Sequence, residues 1–377
     1  MILAMAAIGT TQLVIFGASG DLTRRKLIPA LVRLEAAGQL GEAVTIIGVS
    51  RTPKSDQDYR DELAKAMPED IAGDYRSLAS RIHYHSADVT KADDVADALE
   101  EACRGLNVEI RREAEVTRIF SSNGRVEGVE LADHTVVEAS QVASSLDAHW
   151  TFERFLDPAT LPDSFRQAVA NIDYASASAK VNVALSELPN FTCLPSNATA
   201  PHHRGTIHIS PTLDYIEHAF DDAKYGRPSS EPVLEITLPS SVDSSVVPEG
   251  KHLMSMFVQF APYHLASGQS WDEVKEDFGD RCIELLGRYA PNVPNAVEHR
   301  QVLSPLDLER TYRITGGNIM QGAMHYHQLF FMRPGPGWAD HRTPIKGLYL
   351  CGAASHPGGG VMGACGRNAA TEILKDG

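Results

Sequence analysis

Apolar residues recur along this chain with two periods, and the changes between them mark its elements. Residues 12–16 (Gln-Leu-Val-Ile-Phe) and 44–51 (Val-Thr-Ile-Ile-Gly-Val-Ser-Arg) have the near-continuous apolar content of buried strands. Between them, positions 27, 28, 31, 34 and 37 follow a helical period over 24–40, closed by Gly38 and Gly41. A third strand is expected over 83–88. A helix follows over 91–106, with apolar positions at 95, 96, 98, 99, 102 and 106. Short strands are expected over 108–110 and 115–120, with a turn over 121–125. Residues 125–131 and 135–139 then alternate around 132–134 as a hairpin. The segment 141–146 reads as a return to the first sheet. Farther on, 179–185, 234–238 and 252–260 read as strands and 271–289 as an amphipathic helix. The Pro- and Ser-rich stretches 194–201, 228–232 and 239–248 read as loops. The last strand is expected over 348–351. A helix from Val361 follows, with Val361, Ala364, Cys365, Ala369 and Leu374 on a small-residue face.

Two glycine turns interrupt this pattern where a strand gives way to a helix. The first, Gly-Ala-Ser-Gly-Asp-Leu over 17–22, sits inside a β-α-β unit, at the position where a nucleotide pyrophosphate binds. It is not the full G-x-G-x-x-G fingerprint. Arg51, after the second strand, is placed either to pair with a ribose 2′-phosphate or to end the strand in solvent. The second turn carries six glycines between 352 and 366. Gly352 stops the strand, and Pro357 precedes Gly358, Gly359 and Gly360. Free N–H groups and a helix dipole then point toward an anion, and missing side chains let backbone approach a flat ligand. A tight turn with no ligand is the alternative.

Composition narrows the classes. With 377 residues, 43% hydrophobic and 22% charged, the chain reads as a soluble globular protein of two domains or one large α/β unit. A formal charge of −15 argues against a nucleic-acid partner. No apolar run approaches the roughly 18 residues of a membrane span. Residues 1–8 lack a basic leader, so a cytoplasmic location is expected. Five scattered cysteines, none in C-x-x-C, offer neither dithiol chemistry nor zinc-ligand spacing, so no metal is expected.

The stretch GLYLCGAASHPGGGVMGACGRNAA (347–370) resembles the C-terminal FAD-binding motif of the phytoene desaturase-related flavoproteins. Within these it resembles the group called pyridine nucleotide-disulfide oxidoreductase domain-containing protein 2. The likeness extends through 310–319 (RTYRITGGNI), 328–334 (QLFFMRP) and back to 108–116 (VEIRREAEV), so it covers about 95–377. It implies FAD at Gly352, His356, Pro357, Gly358, Gly359, Gly360, Val361 and Met362, with main-chain contacts from Val116 to the adenine. A core valine is the plain reading of Val116. Residues 14–31 (VIFGASGDLTRRKLIPAL), with 47–51 and 59–63, are similar to the NADP-binding start of glucose-6-phosphate dehydrogenase over about 10–90. That likeness implies Gly17, Ser19, Gly20, Asp21 and Leu22 at the coenzyme phosphates and Arg51 at the 2′-phosphate. Nothing downstream looks like that enzyme's catalytic core. The flavoproteins' own first G-x-G-x-x-G unit is not visible, and a dehydrogenase-type unit stands in its place. Because that unit sets Asp21 near phosphates and Arg51 where an acidic ribose partner belongs, FAD is expected to bind weakly.

Six histidines (His202, His203, His325, His327, His341 and His356) have no third-ligand spacing, and no Ser/His/Asp set or carboxylate pair stands out. That fits a reaction carried by the flavin. The expected fold class is α/β, with a Rossmann-like, mostly parallel nucleotide-binding sheet built from both chain ends and an inserted mixed α+β substrate domain. Residues 1–147 and 337–377 are expected to bind FAD or NADP, and 148–336 a small-molecule substrate. The expected activity is that of an FAD-dependent dehydrogenase or desaturase acting on an apolar or carbonyl-bearing small molecule. An NADP-dependent dehydrogenase using the first unit alone, or a non-catalytic fusion acting through protein contacts, are the alternatives.

Overall fold

The computed structural model describes residues 2–4, 11–16, 23–38, 40, 44–50, 52–86, 100, 103–105, 108–175, 178–196, 198–360 and 363–376. The chain divides into two compact units, residues 7–114 and residues 1–6 with 115–377. Strand β1 (Ile2–Ala4) belongs to the larger unit.

The smaller unit runs β2 (Thr11–Phe16), α1 (Ile28–Ala36), β3 (Val44–Ser50), α2 (Asp56–Ala66), α3 (Ala72–Ala79) and β4 (Ile82–Ser86). Its sheet is β2-β3-β4, parallel throughout, with Leu13 opposite Ile46 and Ile46 opposite Ile82. Parallel strands need their crossovers covered by helices, and the apolar period found over 24–40 supplies one cover. Ile28 and Val32, one turn apart on α1, are buried with Ile46, Tyr59, Leu63, Leu78 and Ile82. The helix ends at Ala36, where Gly38 turns left-handed at φ 67°. Ser55 and Asp58 cap α2 reciprocally. Most of the helix expected over 91–106 lies outside the described residues, as do positions 87 and 88 of the expected third strand. The strand expected over 108–110 does not form. The Val108 N–H instead donates to Cys103 O at 3.0 Å, closing a turn.

The larger unit continues with β5 (Val116–Ser122), β6 (Arg125–Leu131), β7 (Val136–Glu138), β8 (Val142–Ser144), α4 (Asp163–Ala170) and β9 (Ser178–Leu185). Next come β10 (Ile207–Ile209), α5 (Leu213–Lys224), β11 (Val233–Thr237), β12 (His252–Gln259), α6 (Trp271–Gly287), α7 (Val293–Ala296) and β13 (Val297–Leu303). It closes with α8 (Pro305–Tyr312), β14 (Leu348–Leu350) and α9 (Ala364–Asp376). Both chain ends meet in one sheet: β8 pairs antiparallel with β1 and parallel with β14. Strands β5-β6-β7 form a meander whose first turn is Asn123-Gly124, both at positive φ. The third sheet is antiparallel, in the order β10-β11-β12-β9-β13, and lies wholly within 148–336. Alternate residues of β9 (Ala179, Val181, Val183, Leu185) and β12 (Met254, Met256, Val258) share a core with Phe278, Cys282, Leu285 and Leu286 of α6. Each such large side chain contributes roughly 1.5–3 kcal/mol by burial. The sequence pattern missed β13 (Val-Glu-His-Arg-Gln-Val-Leu) because it is polar at its centre. Pairing with β9 makes it a strand. Among the described residues no helix is long and apolar enough to cross a membrane.

Candidate functional site

The site is built where β14 and β8 end side by side. Leu348, Tyr349 and Leu350 are all buried. The Cys351 N–H donates to Ser144 O at 2.8 Å as the last rung. The two chains then stay so close that a Cβ on Gly352 would lie 2.1 Å from Ser145 O. Only glycine allows that approach. Ser355 closes the turn, its N–H and hydroxyl both donating to Gly352 O at 3.1 and 2.8 Å. The loop continues through His356 and Pro357 to Gly358, which is buried at φ 105°. From the start of α9, the Cys365 thiol donates to Gly358 O at 3.2 Å.

A polar strap, residues 315–334, binds this loop from the other side. The Gln321 side chain joins the two strand exits: its Nε2 donates to Ser145 O at 3.1 Å, and its Oε1 accepts from Ala354 N at 2.9 Å. Asn318 Nδ2 donates to Ala175 O at 2.9 Å, and Gln328 exchanges two hydrogen bonds with the Asp173 backbone at 2.7 and 3.0 Å. Arg333, only 3% exposed, donates from Nη1 to Ala353 O at 3.1 Å and from Nη2 to Gly322 O at 2.6 Å. Among the described residues no carboxylate pairs with it. Burial holds its guanidinium below the ordinary arginine value. In the loop, the buried His356 Nδ1 has no hydrogen-bond partner among the described residues. The same strap presents Met324, Tyr326, Phe330 and Phe331 outward, each more than half exposed.

Asp147 ties the strap to the end of β8. Fully buried, it accepts from Trp150 N at 3.0 Å and Thr315 N at 2.8 Å. Desolvation nevertheless raises its carboxyl above the ordinary 3.8, against those two N–H groups. The folded state therefore holds this proton more tightly than the unfolded chain does. The stabilisation linked to it is present below 3.8 and lost as pH rises through the folded value. Relative to Asp147→Asn, native stability is expected to fall as pH rises from 3.8 through that folded value. Denaturant unfolding of both proteins across that range checks this, and parallel profiles would contradict it.

Of the residues singled out from the sequence, the structure brings together Gly352, His356, Pro357, Gly358, Gly359 and Gly360. Val361 and Met362 lie outside the described residues, as do Gly17, Ser19, Gly20, Asp21, Leu22 and Arg51. Val116 opens β5 opposite Leu131 and is partly buried against the cluster that holds Leu348 and Leu350. Asp147, Gln321 and Arg333 carry the site's polar framework and were not singled out. Gln321 and Asp147 left no periodic signal. Arg333 stood inside the QLFFMRP stretch, where a lone charge after four apolar residues was the available clue.

Two of the histidines, His203 and His341, serve structural ends. His203 Nδ1 accepts from Ala200 N at 3.1 Å and its Nε2 donates to Pro189 O at 2.9 Å. His341 Nδ1 donates to Leu350 O at 3.0 Å. His325 and His327 stack at 5.5 Å in a 3₁₀ turn rather than on a strand. Among the described residues no three His, Cys, Asp or Glu side chains group as metal ligands. Burial pushes the Cys351 thiol up to about 11 and Cys282 up to about 12, so neither is a ready thiolate.

Comparison with known proteins gives two family matches. Residues 79–374 match the family of flavin containing amine oxidoreductases. Residues 14–121 match the NAD binding domain of glucose-6-phosphate dehydrogenase. A mouse (Mus musculus) relative, pyridine nucleotide-disulfide oxidoreductase domain-containing protein 2, is 40% identical over 288 residues, 75% of this chain and 50% of its own length. A limonene dehydrogenase subunit of Castellaniella defragrans is 24% identical, over 75% of this chain and 54% of its own length. The chain thus spans about half the length of the curated relatives it matches. The crystal structure of an oxidoreductase from Methanosarcina mazei shares the fold, with a TM-score of 0.50, 19% identity, and cover of 75% of this chain and 54% of that one.

Proposed function

Because the chain belongs to the flavin-containing amine oxidoreductase family, we propose that its 352–362 loop binds FAD and that it acts as a dehydrogenase or desaturase. The substrate class is an apolar or carbonyl-bearing small molecule. One observation carries the reading: a loop ending in three consecutive glycines runs beside a buried guanidinium that has no carboxylate partner among the described residues. Such a loop gives a flat, anion-bearing cofactor close approach and a compensating charge, and the unpartnered His356 Nδ1 supplies one further polar contact. When bound, FAD supplies the two-electron acceptor. The chain's own task is then to bind, orient and exclude water. Gln321 holds the loop beside the end of β8, Arg333 ties it to the strap, and Val116 is proposed to meet the adenine. The outward Met324, Tyr326, Phe330 and Phe331 suit an apolar substrate, and the name of one relative, a limonene dehydrogenase, points to the same class. We assign substrate covering to the five-stranded sheet within 148–336. Titration of the protein into FAD, followed by quenching of flavin fluorescence, tests the reading. Saturable binding supports it, and unquenched flavin at high protein concentration opposes it.

The match of residues 14–121 favours a second nucleotide, NADP, at the smaller unit. We propose Gly17, Ser19, Gly20, Asp21 and Leu22 as its phosphate turn and Arg51 as the 2′-phosphate partner. Arg51→Ala is expected to weaken NADP⁺ by about 1.5–3 kcal/mol while leaving NAD⁺ nearly unchanged. Calorimetric titration of both nucleotides checks it. Equal losses for the two would remove Arg51 from this role.

A further inference from the structure

Arg333 has a property that the loop-binding role does not require. A guanidinium held between two carbonyls needs no carboxylate at the surface, where water shares its charge. Buried to 3% exposure, the same charge is costly unless something negative compensates it. Main-chain oxygens at Ala353 and Gly322 supply partial charge only. Neither neighbouring ionisable group offers a carboxylate: the Tyr174 hydroxyl, its value raised by burial, accepts from His149 N, and the Cys365 Sγ donates to Gly358 O. The charge also lies against the loop itself, since a Cβ on Gly358 would come within 3.1 Å of Arg333 Nη1.

We propose that Arg333 supplies the positive charge that favours the reduced, anionic flavin over the oxidised one at this loop. This rests on the reading that the loop binds FAD. On reduction, neutral oxidised isoalloxazine takes up two electrons and one proton and becomes an anion. A fixed cation beside it strengthens binding of that product more than binding of the neutral reactant. The opposite sign of charge, or none, would remove that preference.

The test compares two dissociation constants in one protein. Oxidised FAD is titrated in air, and FAD reduced by dithionite is titrated without oxygen. Native protein is expected to bind the reduced form at least tenfold more tightly, which corresponds to about 30 mV for a two-electron couple. Arg333→Gln keeps a donor for the Ala353 or Gly322 carbonyl but no charge, and it should lose most of that ratio. Arg333→Lys keeps the charge and should hold the ratio within about threefold of native. Melting and circular dichroism establish whether each variant folds. A folded Arg333→Gln with the native ratio overturns the proposal. If Arg333→Gln does not fold, a Lys variant that loses the ratio overturns it just as well. If native protein binds neither form, the FAD reading fails and takes this inference with it. If native protein binds both forms equally, the reading stands and the inference alone fails.

Discussion

Gly352→Val is expected to unfold the strand exits on which the site stands. The added Cβ would lie 2.1 Å from Ser145 O, 2.7 Å from its carbonyl carbon and 3.0 Å from its Cα, all backbone atoms. No rotamer change relieves a clash with backbone. Either β14 moves off β8, losing rungs such as Leu350 opposite Ser144 and the bond from Cys351 N to Ser144 O, or the exits splay. Gln321, which bonds both Ser145 O and Ala354 N, would then lose one of its partners. Overpacking against backbone in a buried turn places the cost at about 3 kcal/mol or more. The melting midpoint should fall by roughly 5–10 °C. A scan of both proteins reads this directly, and an unchanged midpoint would show that the exits are not packed as described.

Gly359→Val is expected to do the opposite, sparing the fold and removing the flavin. A Cβ there would meet Met320 Sδ at 2.8 Å and Ala353 Cβ at 3.6 Å. The close contact is with the far end of a flexible side chain, which can swing aside at small cost. The two branches beyond it would stand over the loop surface that a flat ligand must approach. FAD affinity should drop at least a hundredfold, about 2.7 kcal/mol, with the midpoint of the free protein nearly unchanged. Fluorescence titration beside a melt separates the two quantities. If FAD binds the variant as it binds the native chain, this loop is not the flavin site.

How much of this was legible follows from where each signal lives. Strands with continuous or alternating apolar residues, such as β9 and β12, announced themselves because their burial is periodic. The glycine loop was legible as well, since a backbone that must pass within touching distance of Ser145 tolerates no side chain, and that leaves glycine in the text. The polar strap was not. Asp147 bonds a residue 168 positions away, and Gln321 reaches Ser145 across 176. Contacts of that span depend on the finished fold and impose no local period. The same reason hid β13, whose strand character comes from its partner. The chemistry of the loop was therefore readable before the residues that hold it in place.

The measurement that tests the central claim most directly is the melting temperature of the native chain with and without FAD. A ligand that binds only the folded state stabilises it by RT ln(1 + [L]/Kd), about 2.7 kcal/mol at a hundred times Kd. Residues 14–121 match the NAD binding domain of glucose-6-phosphate dehydrogenase, and on the proposed placement of Asp21 near the phosphates FAD binds weakly, so the protein should purify with little colour. Its midpoint should then rise steadily as FAD is added, while Gly359→Val stays flat over the same range. A native midpoint that does not move at saturating FAD, or one that moves equally in the Gly359→Val protein, would contradict the assignment of flavin to this loop.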